Sequence, residues 1–213
     1  MSRLSTVVLA APLAVLFCAV AAQAKAPDSL RFTVLRNGEA VGHHTLAFRN
    51  DPKGLDVTID TDVVVKIAII PVYRFEHHDE EVWQNNRLVA LSSTTNDDGT
   101  HHRLKVSADE GGLAVRGDDK PSRLPPAILP ASLWNPATVG QATLLNTLDG
   151  RTMAVHVADL GDETVSVHGQ PRPARHYAVT GDLAREVWYD ADGTLVQVRF
   201  KAKDDSDIRY VLQ

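Results

Sequence analysis

From Leu30 onward the apolar residues recur with a period of two. The alternation is cleanest where Leu55, Val57, Ile59, Val63 and Val65 are interleaved with Asp56, Thr58, Asp60 and Asp62. Successive side chains of a strand point to opposite faces, so the pattern spells strands with one dry and one wet face. The same alternation marks Leu30, Phe32 and Val34; Leu104 and Val106; Met153, Val155 and Val157; and Val196, Val198 and Phe200. Residues 72–106 read as three strands joined at Asn85-Asn86 and Asp98-Gly99, dipeptides that tolerate the positive φ of tight hairpins. A shorter echo follows: Glu81-Val82-Trp83, turn, Leu88-Val89 returns as Glu186-Val187-Trp188, turn, Leu195-Val196.

Further turn signals at Asn37-Gly38, Asp51 to Gly54, Glu110 to Gly112, Asp149-Gly150 and Asp192-Gly193 stand too close together for helical crossovers. The chain is therefore expected to meander. The predicted fold is all-β: a large, strongly curved antiparallel sheet of about twelve strands, an open barrel or half-barrel, since a flat open sheet of that size curls.

Two segments break the alternation. Residues 66–73 (KIAIIPVY) are almost continuously apolar around Pro71. Such a run is expected to be a core-crossing strand end buried on both sides, with a ligand or membrane contact as the alternative. Residues 121–136 (PSRLPPAILPASLWNP) carry five prolines and cannot donate a sheet ladder. Ile128, Leu129, Leu133 and Trp134 are costly to leave in water, so this loop is expected to fold back over the sheet as a plug or as the gate of a pocket. A single helical turn is expected at Pro130 to Trp134.

The amino terminus reads as a secretory signal: Arg3, an apolar run from Val7 to Val20, then Ala22-Gln23-Ala24. That run of about fourteen residues falls short of the roughly twenty that span a bilayer. Residues 1–24 are thus expected to be removed, leaving 25–213 as one all-β domain that is exported and periplasmic, with secretion as the alternative. The one cysteine, Cys18, lies in the segment to be removed and follows Phe17, a bulky neighbour that argues against acylation. The formal charge is −5, and −6 without Arg3, with cations scattered singly among acids. Nucleic acid is not an expected partner.

Three histidine pairs, His43-His44, His77-His78 and His101-His102, invite a metal reading. Adjacent strand residues face opposite ways, however, and alternate strands of a meander lie about 9.5 Å apart, so neither a metal ligand set nor a cofactor is expected. His77, His78, Asp79, Glu80 and Glu81 also read as an acid–base cluster for a hydrolase-like or metal-dependent enzyme. No Gly-x-Ser-x-Gly elbow, phosphate loop or dinucleotide fingerprint accompanies it, and no catalytic residue is assigned. Tyr73, Phe75, His77 and Trp83 share one strand parity and form an aromatic face, either ordinary core or one wall of an apolar cavity. Tyr73, Phe75, Trp83, Leu133 and Trp134 are the expected ligand-binding residues.

The strand GEAVGHHTLAFRN, the unit VYRFEHHDEEVWQNNRLVALSSTTNDDG and the loop LPASLWNP resemble a family of exported proteobacterial proteins, domain of unknown function 6134. The chain is more distantly similar to a family with the pattern G-x-x-x-G … W-x-x-x-x-L, here Gly38 to Gly42 and Trp83 to Leu88. The resemblance implies a periplasmic bent antiparallel sheet, similar in architecture to lipoprotein carriers and other lipid-handling half-barrels. It carries no activity and no site residues. The leading expectation is a non-enzymatic binding or carrier module for an apolar or amphipathic ligand, a lipid or other apolar small molecule. The enzyme and a structural envelope partner pairing through a sheet edge stand as alternatives.

Overall fold

The computed structural model describes residues 29–213; the expected signal segment lies outside them. Eight strands come first: β1 (Ser29–Arg36), β2 (Glu39–Asp51), β3 (Gly54–Ile67), β4 (Ile70–Gln84), β5 (Arg87–Asp97), β6 (Thr100–Asp109), β7 (Gly112–Arg116) and β8 (Ser122–Leu124). Seven follow: β9 (Leu129–Pro130), β10 (Thr143–Leu145), β11 (Thr152–Val167), β12 (Gln170–Gly181), β13 (Arg185–Tyr189), β14 (Leu195–Lys201) and β15 (Asp207–Leu212). The all-β expectation holds, with fifteen strands in place of about twelve and one 3-10 turn at Pro136–Gly140. That turn lies beyond the expected position. Leu133 adopts a left-handed φ of 64°, which interrupts a helix, whereas Asn135 caps the turn by accepting from the Ala137 amide and proline stands at its start.

The strands form one sheet in the order β8-β7-β6-β5-β4-β3-β2-β1-β15-β14-β13-β12-β11-β10-β9. The chain starts in the middle of the sheet and meanders to one edge. It then passes to the opposite edge and meanders back until β15 pairs antiparallel with β1, Phe32 opposite Leu212. The two edge strands, β8 and β9, are separated by only residues 125–128. Five peptide links reach at most about 17 Å, so the sheet has to curl until its edges nearly meet. It is a barrel left open at a seam, and the proline-rich segment bridges that seam; against the expectation that it stays out of the ladder, it supplies both short edge strands, Ser122–Leu124 and Leu129–Pro130, between its prolines.

Left-handed two-residue turns explain the register. Asn37-Gly38, Asn85-Asn86, Asp98-Gly99 and His168-Gly169 all take positive φ at both positions, the geometry that matches strand twist. Each strand then buries alternate residues: Val57, Ile59, Thr61 and Val63 on β3, and Leu91, Ser93 and Thr95 on β5. After Val155, β11 has a strand partner, β12, on one side only. The register shift between Asp159 and Gly161 and the acids Asp159, Asp162 and Glu163 blunt that edge against pairing with another chain.

The interior holds two apolar clusters. The large one joins residues from both halves of the sheet, among them Phe32, Leu46, Ile59, Leu104, Leu113, Val187 and Leu195, with Ile128, Leu129 and Leu133 of the proline-rich loop. The small one consists of Val34, Val63 and Ile208 with Phe75, Phe200 and Tyr210 packed against it. An eight-stranded barrel is about filled by its own side chains, so fifteen strands enclose more room than theirs alone occupy. The loop supplies the rest and is the expected plug. Ser93 donates to the Thr147 carbonyl, Tyr189 donates to the Leu133 carbonyl at 2.6 Å, and the turn before β11 presses onto β6 and β7.

Gly150 marks how tightly that turn sits. Its φ is +84°, and a Cβ there would lie 2.8 Å from Leu104 Cδ1 and 2.9 Å from Val115 Cγ1. Gly150→Ala is expected to lower stability by about 1–3 kcal/mol in equilibrium urea unfolding, through left-handed strain and overpacking together.

The apolar run 66–73 corrects the expectation of two-sided burial. Ile67, Ile69, Ile70 and Val72 are exposed, because β3 and β4 outrun their neighbours at this end.

Candidate functional site

Period two puts odd-numbered residues of β4 inside, and the face so formed is not purely apolar. His77, Asp79 and Glu81 are buried along with Trp83, while His78 and Glu80 point outward, where His78 Nδ1 lies 2.7 Å from Asp60. The expected acid–base cluster is thus split between the two faces. What converges inside is a polar layer between the two apolar clusters. Antiparallel register sets His44, Thr61, His77, Thr95 and His102 side by side on β2 to β6. Each histidine pair sends one ring into this row. His44 Nδ1 is hydrogen-bonded to Thr61 Oγ1 at 2.7 Å, His77 Nδ1 to Thr95 Oγ1 at 2.8 Å, and His102 to Asp118. The threonines occupy the strands between, so the rings alternate with hydroxyls. Among the described residues no group of three or more metal-ligating side chains converges.

One layer deeper, toward the large cluster, lie Asp79, 0 % exposed, and Glu81, 1 % exposed. Glu81 Oε2 accepts from two indoles, Trp83 Nε1 at 2.8 Å and Trp134 Nε1 at 2.9 Å, and the Ser132 side chain also hydrogen-bonds to Glu81. Trp83 belongs to the sheet and Trp134 to the plug, so one carboxylate oxygen ties plug to wall. The two indoles meet edge to face at 5.4 Å, and Trp134 meets Phe48 likewise at 5.5 Å. Glu81 Oε1 and both oxygens of Asp79 have no hydrogen-bond partner. Ser93, which faces Asp79 across the ladder, gives its hydroxyl to the Thr147 carbonyl in the turn before β11 instead.

Burial sets the proton affinities here. Loss of water first, and then the Glu81 carboxylate two residues on, raise Asp79 far above the ordinary aspartate range. Burial raises Glu81 as well, opposed by its hydrogen bonds from Ser132, Trp134 and Trp83. Burial lowers His77 to about 4 and His44 to about 3, with histidine neighbours, His78 and His77 respectively, adding to it and Asp60 opposing. At neutral pH His44 and His77 are therefore uncharged above a protonated Asp79, which can donate a hydrogen bond that nothing in the plug accepts.

The five expected ligand-binding residues separate into two groups. Trp83, Leu133 and Trp134 meet in the large cluster over Glu81. Tyr73 and Phe75 stand at the other side of the polar layer: Phe75 packs in the small cluster and on the His77 ring at 6.3 Å, and the Tyr73 hydroxyl donates to Asp97 at 2.8 Å. A groove of about 410 Å³ opens instead on the outer face of β4 to β7, where Val82, Ala90 and Ala114 form a floor beside Glu80, Lys105 and Arg116. Pocket-wall reasoning had no signal for it, because outward residues read as solvated. The interior carboxylates did have a signal: Asp79 and Glu81 share the parity of Phe75, His77 and Trp83.

A curled single sheet with a polar layer and an inserted loop defines a β-barrel-like protein. Its fold is similar to the crystal structure of the beta-barrel-like protein of domain of unknown function DUF1849 from Brucella abortus. The TM-score is 0.60 at 12% identity, over 87% of this chain and 94% of that one. The profile of the family described as a domain of unknown function, DUF6134, matches residues 32–213, and the chain belongs to that family. No curated protein matches it. Among the described residues no helix is long and apolar enough to cross a membrane.

The carboxylate pair gives a pH signature. A carboxyl whose folded affinity for protons is raised makes the folded state bind more protons than the unfolded one, so stability falls as pH rises from about 4 upward through neutrality. The lowered histidines act oppositely and remove stability as pH falls from 6.5 toward 4 and then 3. Asp79→Asn is expected to flatten the first slope and leave the second. Its stability relative to wild type should rise steadily between pH 5 and pH 9 in urea unfolding, by on the order of 1–3 kcal/mol.

Proposed function

We propose that this protein is an exported, periplasmic binding or carrier module that admits an amphipathic ligand to its interior when the proline-rich plug swings away. The observation that carries the reading is the tie between plug and wall. Trp134 of the plug shares Glu81 Oε2 with Trp83 while Asp79 beside it has no partner. A plug meant only to fill a core would gain more from apolar contact than from a buried carboxylate, whose desolvation costs several kcal/mol unless it is fully satisfied. A carboxylate oxygen that accepts an exchangeable donor, next to a protonated carboxyl awaiting an acceptor, is how a pocket fixes a head group that can do both.

On this reading the apolar body of the ligand takes the place vacated by Leu133 and Trp134 against Trp83. An amine or hydroxyl head replaces the Trp134 indole at Glu81 and engages Asp79. Tyr73 and Phe75 flank the approach instead of the resting place. Export is supported by the order Arg3, apolar run, Ala22-Gln23-Ala24. A non-catalytic role fits His77, whose Nδ1 is occupied by Thr95 and does not engage a carboxylate.

Trp134→Phe tests the tie, because it keeps an aromatic ring and removes the N–H. Losing one hydrogen bond to a carboxylate is expected to lower stability by about 1–2 kcal/mol. It should also raise the affinity of a fluorescent long-chain amine roughly tenfold, since the closed state is then less favoured. Native mass spectrometry of the exported protein should find an amphiphile bound. Failure of wild type and variant alike to bind the amine, with no co-purifying amphiphile, sinks the carrier reading.

A further inference from the structure

The hairpin between β3 and β4 leaves the barrel. The ladder of β2 against β3 reaches only to Val63, and that of β5 against β4 only to Phe75, with the Asp98 amide capping the Arg74 carbonyl, so residues 64–67 and 70–73 pair in the sheet with each other alone. This two-stranded ribbon ends in Ile67, Ile69, Ile70 and Val72, which are 69%, 89%, 65% and 45% exposed. A contiguous tip of this kind is unusual, since exposed large apolar side chains are ordinarily scattered. The turn compounds it. The left-handed position that Asn, Asp or His fills in the other two-residue hairpin turns is Ala68 here, at φ 55°, and the exposed Ile69 follows it. A Cβ disfavours that backbone region, so the tip is apolar against both solvation and backbone preference. Local rules broken without gain to the fold mark function.

Area and charge select the occupant. The exposed side chains amount to a few hundred Å², well under the roughly 800 Å² per partner of a stable protein interface. A second copy of the chain is therefore poorly matched to the tip. Within residues 64–73 the one charge is Lys66. Behind it, at the base, stand Asp62, Arg74, Glu76, Asp97 and Asp98, with Arg74 paired to Glu76 at 2.9 Å and to Asp62 at 3.8 Å. The base is net acidic, which repels an anionic surface and leaves apolar insertion as the attraction. From Ile69 to Val72 the ribbon is about 10 Å long, near the depth to which interfacial segments bury in a lipid layer. Tyr73 sits where its ring would meet the headgroups, the position amphipathic aromatics favour.

We propose that the tip at Ile67, Ile69, Ile70 and Val72 inserts into a zwitterionic lipid surface and docks the barrel there. This inference does not rest on the carrier reading, although the small cluster around Phe75 lies at the same end of the barrel. The test is co-sedimentation of the exported protein with phosphatidylcholine vesicles, beside vesicles containing phosphatidylglycerol. Wild type is expected to sediment with the first, with no strengthening by the anionic lipid, and Ile69→Ser/Ile70→Ser to bind at least about tenfold more weakly. Both sites are exposed, so the circular dichroism of the variant should match wild type. Ile69→Trp should shift its emission to the blue with vesicles and be quenched by brominated lipid. Absence of sedimentation, equal sedimentation of the double variant, or an unshifted Ile69→Trp would each overturn the proposal. So would a wild-type dimer that the double variant dissolves while vesicles go unbound.

Discussion

A fifteen-stranded sheet whose two edge strands are neighbours in sequence cannot lie open. Residues 125–128 hold β8 and β9 together, and the pairing of β15 with β1 holds the middle, so the sheet has to wrap and the seam has to be bridged by whatever joins β8 to β9. That bridge is rich in proline, which cannot extend the ladder and turns inward instead. Closure and plugging are thus one constraint. The loop reaches β13 through Tyr189 and β4 through Glu81, and it links the two halves of the sheet.

The last of these contacts is the least economical. An all-apolar lining at positions 79 and 81 would hold a plug more firmly than two buried carboxyls of which three oxygens lack partners. Their cost falls on the closed state alone, because an opened interior admits water or a ligand's donors. The polar layer of His44, Thr61, His77 and Thr95 lies beside them and parts the two apolar clusters along β2 to β5, while Phe200 and Tyr210 on β14 and β15 pack against both. On the proposed carrier reading, such a layer lowers the cost of opening the interior.

Much of the fold was legible because period-two alternation and left-handed turn dipeptides are local signals. Asn85-Asn86 and Asp98-Gly99 mark their hairpins by composition, and the two-residue turn at Asp98-Gly99 sets Thr95 opposite His102. The plug was legible because Ile128, Leu129 and Leu133 need burial and the prolines around them leave room for no more than the two-residue strand at Leu129–Pro130. Residues 66–73 misled, since a continuous apolar run looks the same whether it crosses a core or outruns it. Only the lengths of β2 and β5 decide that, and they depend on pairing across the sheet. The carboxylate pair was half legible: parity placed Asp79 and Glu81 inside, while their charge argued outward, and the partners that decide, Trp134 and Ser132, lie some fifty residues away. The separation of Phe75 from Trp83 likewise follows from three intervening polar side chains on one strand.

Hydrogen exchange in the native state tests most directly whether the interior opens through its plug. Backbone amides of the loop, such as Ile128 to Pro125 and Ala131 to Leu145, should exchange by an opening smaller than global unfolding, while the ladders of β4 with β3 and β5 exchange only globally. A bound amphiphile should slow the loop and leave the ladders unchanged. Loop amides that exchange only with the whole sheet, with or without amphiphile, would contradict the account and make the plug a permanent part of the core.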